Sequence, residues 1–262
     1  MVCFLRRKLM KNYVLLMTMF CIYSLTFLTH YFLTFLEHGR AFLGVTMIIP
    51  LLSVIIVQKI FTQLPILSTF SFTKPKWSWL LASIFTPFSL GVLVHSYFYL
   101  THYQSFLIIT PSQLSMLLLI GLTISTGSAL LEEVVWRGNF HVYLRQRYSF
   151  WQTAIITGVG WSLWHLPIAV LYKPYMMPAV GIPTYLLLLF GLSIVLSIIR
   201  EVGQSIVPVA IFHGMMNVFY LGDGQNMTVS PDNQEIVKCL VIILFLFLFC
   251  HKNVTIFKNQ KI

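Results

Sequence analysis

Charge is scarce in this sequence, and negative charge is the scarcest. Only 7 of the 262 residues are Asp or Glu and 9% are charged, whereas 58% are hydrophobic. A soluble domain needs many more charged residues to cover its surface, so the composition excludes a soluble domain of any size. Together with a mean hydropathy of +0.83, it is typical of a membrane protein with several spans.

Cysteine is also rare, and its placement excludes several kinds of site. The four cysteines include no CxxC pair and lie in or beside apolar segments, so the sequence predicts neither a disulfide framework nor a zinc knuckle. No repeat of fixed period and no inverted pair of halves is visible in the sequence. Their absence argues against a transporter built from repeats.

Apolar segments of about 20 residues, the length that a helix needs to cross a bilayer, recur along the chain. We predict an all-α, polytopic membrane bundle of about eight transmembrane helices. They run at roughly 12–36, 41–57, 77–100, 112–135, 151–171, 179–199, 205–221 and 236–250, of which the second and seventh are short. The first segment lacks a small-residue cleavage site, so we expect it to be retained and the mature chain to be the whole chain.

Positive charge is abundant, with a formal net charge of +10, and its distribution fits membrane topology better than nucleic-acid binding. If the N-terminus is inside, all Lys and Arg except Arg40, Lys173 and Lys238 fall on the inner side. We therefore expect both termini in the cytoplasm and no nucleic-acid partner. The basic, aromatic segment 138–150 is predicted either as a helix lying at the inner interface or as an ordinary positive loop.

Two adjacent glutamates near the end of the fourth predicted span begin the first of three polar motifs. Glu133 and Arg137 are four residues apart, so they can pair on one helix face, and Glu132 then points about 100° away. An ionisable side chain without a partner inside a span indicates a functional site. The alternative is that both glutamates lie beyond the membrane edge and bind Arg137, Arg145 or Arg147.

The second motif lies in the fifth predicted span, where Trp161 and His165 are four residues apart and Pro167 can kink or end the helix. Alone, a histidine on an aromatic-rich helix is more often a packing residue than a catalyst. His165 lies well inside its span, whereas Glu132 lies near the inner end of span four. For the two to meet, either span five begins later or its helix is broken.

The third motif, in the seventh predicted span, places His213 and Asn217 on one helix face. Gly214 between them lets another backbone or a substrate approach closely. Hydrogen bonding between helices is a good alternative explanation, because His and Asn commonly join membrane helices. The pair is nevertheless more suggestive of a site than either residue alone.

Taken together, the three motifs contain the groups of a hydrolytic site. Glu132 can act as general base on water, and a histidine can share the proton or donate it to the leaving amine. His213 and Asn217 can hydrogen-bond a developing oxyanion. Glu132, His165 and His213 could equally be zinc ligands, because two imidazoles and a carboxylate with one open position form a known catalytic zinc set.

In their order and spacing, the motifs resemble those of the CPBP, or Abi, family of intramembrane proteases, which includes the CAAX prenyl endopeptidases of the endoplasmic reticulum. The resemblance covers about residues 125–220. It implies that Glu132 and His165 activate the attacking water and that His213 and Asn217 stabilise the oxyanion. The motifs are short and common alone, but three in order on late spans are rather specific.

The resemblance also implies supporting residues around this site. Glu133 and Arg137 would hold the first glutamate in place. Trp161 stands where the family more usually has Phe, and because an aromatic ring remains, we expect the chemistry to be unchanged.

The sequence therefore predicts an intramembrane endopeptidase with a cavity among spans four to seven that opens toward the cytoplasm. Residues 1–110 would form the first three helices, 111–225 the catalytic core, and 226–262 the last helix with a basic tail. We expect membrane lipid and a membrane-associated or lipidated peptide as partners, as in CAAX processing or in bacteriocin and signal-peptide maturation, with zinc as the candidate cofactor.

The chain is compact and has no eukaryotic targeting signal, which favours a bacterial plasma membrane. Two other functions are compatible with the composition. One is a non-proteolytic immunity or scaffold protein, although all four catalytic candidates are intact. The other is a proton-coupled transporter that uses buried Glu and His as relay groups.

Overall fold

The computed structural model describes residues 12–62, 65, 69–103, 110–222 and 227–258, with Asn12 and 251–258 as backbone only. In this part of the chain every regular element is a helix, which confirms the all-α prediction. The helices are α1 (Asn12–Leu33), α2 (Gly39–Phe61), α3 (Trp77–Leu100), α4 (Pro111–Arg145), α5 (Phe150–Leu171), α6 (Pro178–Gly203), α7 (Ile206–Phe219) and α8 (Pro231–Lys258).

Among the described residues, seven helices are long and apolar enough to cross a membrane. The remaining apolar helix, α7, is shorter. α7 has 14 residues, so at 1.5 Å per residue it extends about 21 Å, less than the ~30 Å of a bilayer core. The seventh predicted span is thus shorter than expected. The second predicted span, by contrast, is part of a longer helix of 23 residues.

The largest difference from the sequence prediction concerns α4. We expected a span at 112–135 followed by a separate interfacial helix or loop at 138–150, but α4 continues without interruption to Arg145. Most residues of this extension are buried. Glu132 therefore lies well inside a helix and not near its end, and Arg137 is an interior residue and not part of a basic inner loop.

Two π-helical turns widen α4, at Gly121–Ser125 and at Val134–Phe140. Such turns are rare and occur frequently at functional sites. The second turn directly follows the paired glutamates, and every side chain in it is buried. The polar centre of the protein is therefore built where α4 departs from regular α-helical geometry.

Two short polar connections join α4 to α5 and α6 to α7. At the start of α5, the Ser149 hydroxyl accepts from the backbone N–H of Gln152 at 3.4 Å, and the Ser149 N–H donates to the Gln152 side chain at 3.0 Å. Between α6 and α7 only Gln204 and Ser205 intervene, and Gln204 adopts a left-handed conformation with φ of 57°. This tight turn brings α7 back against α6.

α7 has an inner position in the bundle, because it packs against α3, α4 and α6, while α6 also packs against α5 and α8. Gly214 makes the contact with α4 possible: a Cβ atom here would lie 2.5 Å from the backbone nitrogen of Thr126. The hydroxyl of Ser125 also donates to the Gly214 carbonyl at 2.9 Å. The predicted close approach at Gly214 is thus made by another backbone, that of α4.

Candidate active site

Glu133 and Arg137 form the ion pair that their spacing predicted. Arg137 Nη1 donates to Glu133 Oε1 at 2.9 Å, and neither side chain is exposed. Arg137 Nη2 also donates to the hydroxyl of Ser193 in α6 at 2.6 Å, and His213 Nδ1 in α7 donates to Glu133 Oε1 at 2.8 Å. Glu133 Oε2 has no hydrogen-bond partner among the described residues. Glu133 is thus compensated by an arginine and links α4 to α7.

Glu132 has different surroundings from its neighbour. Its side chain is also buried, with 3% of the residue exposed, and Oε2 accepts from the indole N–H of Trp161 at 2.9 Å. His165 Nε2 lies 3.9 Å from the same oxygen, which is too far for a hydrogen bond. Within the described part of the chain no Lys or Arg forms an ion pair with Glu132, so this carboxylate is the less compensated of the two.

A break in α5 directs His165 toward Glu132. The His165 N–H bonds to Ser162 O at 3.1 Å, and Pro167 just beyond has no N–H to continue the helix. Trp161 O, which a regular helix would pair with the His165 N–H, accepts instead from His165 Nδ1 at 2.8 Å. Since a carbonyl only accepts, the proton is on Nδ1 and the lone pair is on Nε2, which faces Glu132. α5 is thus interrupted at His165, but the difference in depth that we expected disappears because α4 continues to Arg145 and Glu132 lies well inside it.

Trp161 lies at the centre of these groups. Its ring is 4.7 Å from that of His165 and 5.3 Å from that of His213, in both cases edge to face. The guanidinium of Arg137 lies 4.8 Å from the indole centre. We expected Trp161 to act as an aromatic ring alone, but its N–H donates to Glu132 and Phe has no such donor. The replacement of Phe by Trp therefore adds a hydrogen bond to the candidate base.

His213 and Asn217 differ in burial and in their hydrogen bonds. His213 is buried, and because Nδ1 donates to Glu133, its Nε2 is the nitrogen left for another partner. Asn217 is partly buried, and no hydrogen bond joins its side chain to the other three candidates within the described residues. The structure thus brings Glu132, His165 and His213 together around Trp161. The oxyanion role of Asn217 stays a prediction.

The arrangement does not fit the zinc site that the sequence left open. Among the described residues, no three His, Cys, Asp or Glu side chains are placed to hold a metal ion. Glu132 Oε2 already accepts from the indole N–H of Trp161. We therefore assign no reaction step to a metal.

A second ion cluster, which the sequence does not predict, holds the last turns of α4 against α6. Glu201 accepts from His141 Nε2 and from Arg145 Nη2, both at 2.9 Å, and Arg200 Nε donates to the carbonyl of Arg137 at 3.0 Å. These contacts exclude the alternative in which Arg145 pairs with the two glutamates. No sequence signal joins Glu201 to α4, because the two segments lie more than 50 residues apart.

Two comparisons with known proteins bear on this site. Residues 112–219 match the sequence model of a family described as Type II CAAX prenyl endopeptidase Rce1-like. The chain is also 29% identical over 127 residues to CAAX prenyl protease 2 of Methanococcus maripaludis. That alignment covers 45% of this chain and 44% of the relative, so the chain spans less than half the length of that relative. All the motif residues lie inside the matched segment 112–219.

Proposed function

Because residues 112–219 belong to the Rce1-like family of type II CAAX prenyl endopeptidases, we propose that this protein hydrolyses a peptide bond in a membrane-associated or lipidated substrate, with Glu132 as the base. Membership of this family implies an intramembrane protease. The observation that carries the proposal is the separation of 3.9 Å between Glu132 Oε2 and His165 Nε2, two acceptors that face each other among apolar helices.

One water molecule beside these two acceptors can bridge them. A water oxygen about 2.8 Å from each atom would donate one hydrogen to the carboxylate and the other to the imidazole. His165 can accept because its own proton is on Nδ1, which donates to Trp161 O. A water held in this way has its lone pairs free for attack on a carbonyl carbon.

In the proposed reaction, Glu132 removes a proton from this water while the water oxygen attacks the scissile carbonyl. The carbonyl oxygen becomes an oxyanion, for which the Asn217 amide and a protonated His213 Nε2 are the donors. The C–N bond then breaks, and the leaving amine takes the proton that Glu132 accepted from the water, either directly or by way of His165 Nε2. Glu133 orients His213 throughout, since it accepts from Nδ1.

For the substrate we favour a CAAX-type lipidated tail over a bacteriocin or signalling-peptide precursor, because both comparisons name CAAX proteases. Glu132 is buried among helices that can span a membrane. A substrate that is anchored in the lipid and has an extended peptide segment would therefore approach such a site more readily than a soluble folded protein.

We further propose that the protein lies in a bacterial plasma membrane with both termini in the cytoplasm. This orientation places most basic residues inside, even without Arg137, which the structure buries. Reporter fusions after Phe150 and at the C-terminus would test it. Cytoplasmic reporter activity is expected at both positions, and periplasmic activity at either would contradict the proposed orientation.

The proposed activity is tested by mass spectrometry of membrane peptides from cells that carry the wild type or Glu132→Gln. This substitution keeps the side-chain volume and removes the base. A product peptide found only with the wild type would support the proposal and identify the substrate. If the two strains have identical peptides while phenotypes of immunity or uptake persist in both, the function is a non-proteolytic immunity role or transport instead.

A further inference from the structure

α1 contacts the helix that carries His165, although α1 lies outside the segment matched by the family. The Tyr23 hydroxyl donates to the carbonyl of Gly160 in α5 at 2.6 Å. Three residues further along the same face of α1, the Thr26 hydroxyl accepts from the indole N–H of Trp164 at 2.9 Å. Two side chains of the first helix are thus hydrogen-bonded to α5 within about one and a half turns of His165.

Trp164 links Thr26 to the imidazole. Its indole ring lies 4.7 Å from the ring of His165 at an interplanar angle of 78°, and Thr26 and Trp164 are both almost completely buried. An indole N–H can only donate, and a buried one needs an acceptor. Since Thr26 provides that acceptor, it determines the orientation of the ring against which His165 packs.

One further turn along α1, His30 is close to the same site. It is buried, its Nδ1 has no hydrogen-bond partner among the described residues, and it is near enough to His165 for the two imidazoles to interact electrostatically. Its ring is 5.6 Å from that of Tyr172, just beyond the end of α5. The contact between α1 and the surroundings of His165 is therefore not confined to Thr26.

We propose that Thr26 is a positioning residue for His165 and acts through the Trp164 indole. The proposal rests on the proposed function, because it assumes that His165 Nε2 and Glu132 Oε2 hold the attacking water. If the Trp164 N–H loses its acceptor, the indole turns to find another, and the His165 ring moves with it. The separation of 3.9 Å between Nε2 and Oε2 then changes, although neither atom is touched by the substitution.

The test compares Thr26→Val with two matched variants in the reconstituted full-length protein. Val keeps the shape of Thr and removes the acceptor, whereas Thr26→Ser keeps the acceptor. Thr18→Val is the control on the same helix, because Thr18 is buried and, among the described residues, its hydroxyl bonds to Val14 O of α1 alone, at 2.8 Å. Cleavage rates would be measured with the substrate peptide found in wild-type membranes.

Thr26→Val should lower kcat by about tenfold to a hundredfold with KM nearly unchanged, since a misplacement of about 1 Å can cost a hundredfold in rate. Thr26→Ser should restore most of kcat, and Thr18→Val should match the wild type. Equal kcat in Thr26→Val and Thr18→Val, or a loss only in KM, would overturn the proposal.

A spectroscopic readout separates failure of this proposal from failure of the proposed function. In protein labelled at Trp and His with nitrogen-15, Thr26→Val should shift the Trp164 indole signal and the His165 ring signals, and Thr18→Val should shift neither. These shifts are expected even if the wild type cleaves nothing, in which case only the proposed function fails. Unchanged His165 signals in Thr26→Val would overturn the positioning role whatever the activity.

Discussion

Two regions of this protein bury a pair of carboxylates, and they differ in how those carboxylates are used. One contains Glu132 and Glu133 in α4. The other, which we call the α8 cluster, contains Asp232 and Glu235 at the start of α8 with Lys173 and Tyr175 of the α5–α6 connection. Both pairs are almost completely buried, so burial alone does not distinguish them.

Both acids of the α8 cluster are occupied by structural contacts. Asp232 accepts from the backbone N–H groups of Met176 and Met177 at 2.9 and 3.1 Å. Glu235 binds the Lys173 ammonium and accepts from the Tyr175 hydroxyl. Burial, and next to it the Glu235 charge, raises the pKa of Tyr175 well above its usual range, so this phenol stays a donor.

Glu132, in contrast, accepts from one neutral donor, pairs with no Lys or Arg among the described residues, and lies beyond hydrogen-bond distance of the His165 imidazole. A buried carboxylate without a Lys or Arg partner is costly to maintain, so a reason other than stability is needed for its presence. Incomplete pairing, and not burial, therefore separates a candidate base from a structural acid in this protein.

The largest effect is expected for Glu132→Gln and His165→Ala. A general base contributes about 10²–10⁴-fold to a rate, so each substitution should reduce cleavage to the background of the assay, while the protein stays folded in the membrane. Cleavage assays and immunoblots of membrane fractions would measure both. A loss of protein equal to the loss of activity would place Glu132 among the structural acids and remove the distinction.

Glu133→Gln should instead lower the amount of folded protein. It leaves Arg137 buried without its counter-charge, and breaking a buried pair costs about 3–5 kcal/mol when burial is complete. The amount of protein would be followed by immunoblot of membrane fractions after protein synthesis in the host cells has been stopped. The double variant Glu133→Gln with Arg137→Gln is the matched control and should recover part of the loss. Full abundance of Glu133→Gln would show that the pair does not stabilise α4.

Asn217→Ala tests the least constrained of the four candidates. Removal of one oxyanion donor typically costs about a hundredfold to a thousandfold in kcat, and because the contact exists only in the transition state, KM should change little. Steady-state kinetics of the reconstituted protein would separate the two constants. If only KM changes, or neither constant changes, the pair of His213 and Asn217 is a helix-packing contact.

Asp232→Ala tests the α8 cluster. The substitution removes the acceptor for two backbone N–H groups, and each buried donor left without a partner costs about 1–3 kcal/mol. The unfolding temperature in detergent should therefore fall, whereas the turnover of each folded molecule should match the wild type. A variant with normal stability but lost turnover would reverse the roles that we assign to the two regions.

Trp161→Phe should have the smallest effect on the Glu132 site. It keeps the aromatic ring and removes the N–H that donates to Glu132 Oε2, so the carboxylate loses its one fixed donor. We expect kcat to fall by about tenfold, which corresponds to ~1.4 kcal/mol of transition-state stabilisation. Unchanged kinetics would restore our original expectation that Trp and Phe are equivalent here.

Much of this architecture could be predicted from local sequence patterns. The hydropathy of single segments indicated eight helices, and the spacing of four residues indicated the ion pair of Glu133 and Arg137, because both depend on residues of the same segment. The end of α4 could not be predicted, because His141 and Arg145 look like residues of a basic loop until Glu201 of α6 is placed beside them.

The contacts that distinguish the candidate base from its neighbour could not be predicted either. Whether Glu132 or Glu133 meets His213 depends on the packing of α4 against α7, and the N–H of Trp161 reaches Glu132 only because α5 lies beside α4. No local sequence pattern indicates the role that we propose for Thr26, because its hydroxyl contacts a side chain of another helix. Tertiary packing determines all of these contacts.

Activation of water by the under-compensated Glu132 can be tested in a purified system. Purified wild type, Glu132→Gln and Glu235→Gln would be reconstituted in liposomes, and cleavage of the substrate peptide identified in wild-type membranes would be followed by mass spectrometry. We expect cleavage by the wild type and by Glu235→Gln at similar rates for equal amounts of folded protein, and none by Glu132→Gln. Cleavage by Glu132→Gln at the wild-type rate would contradict this role of Glu132.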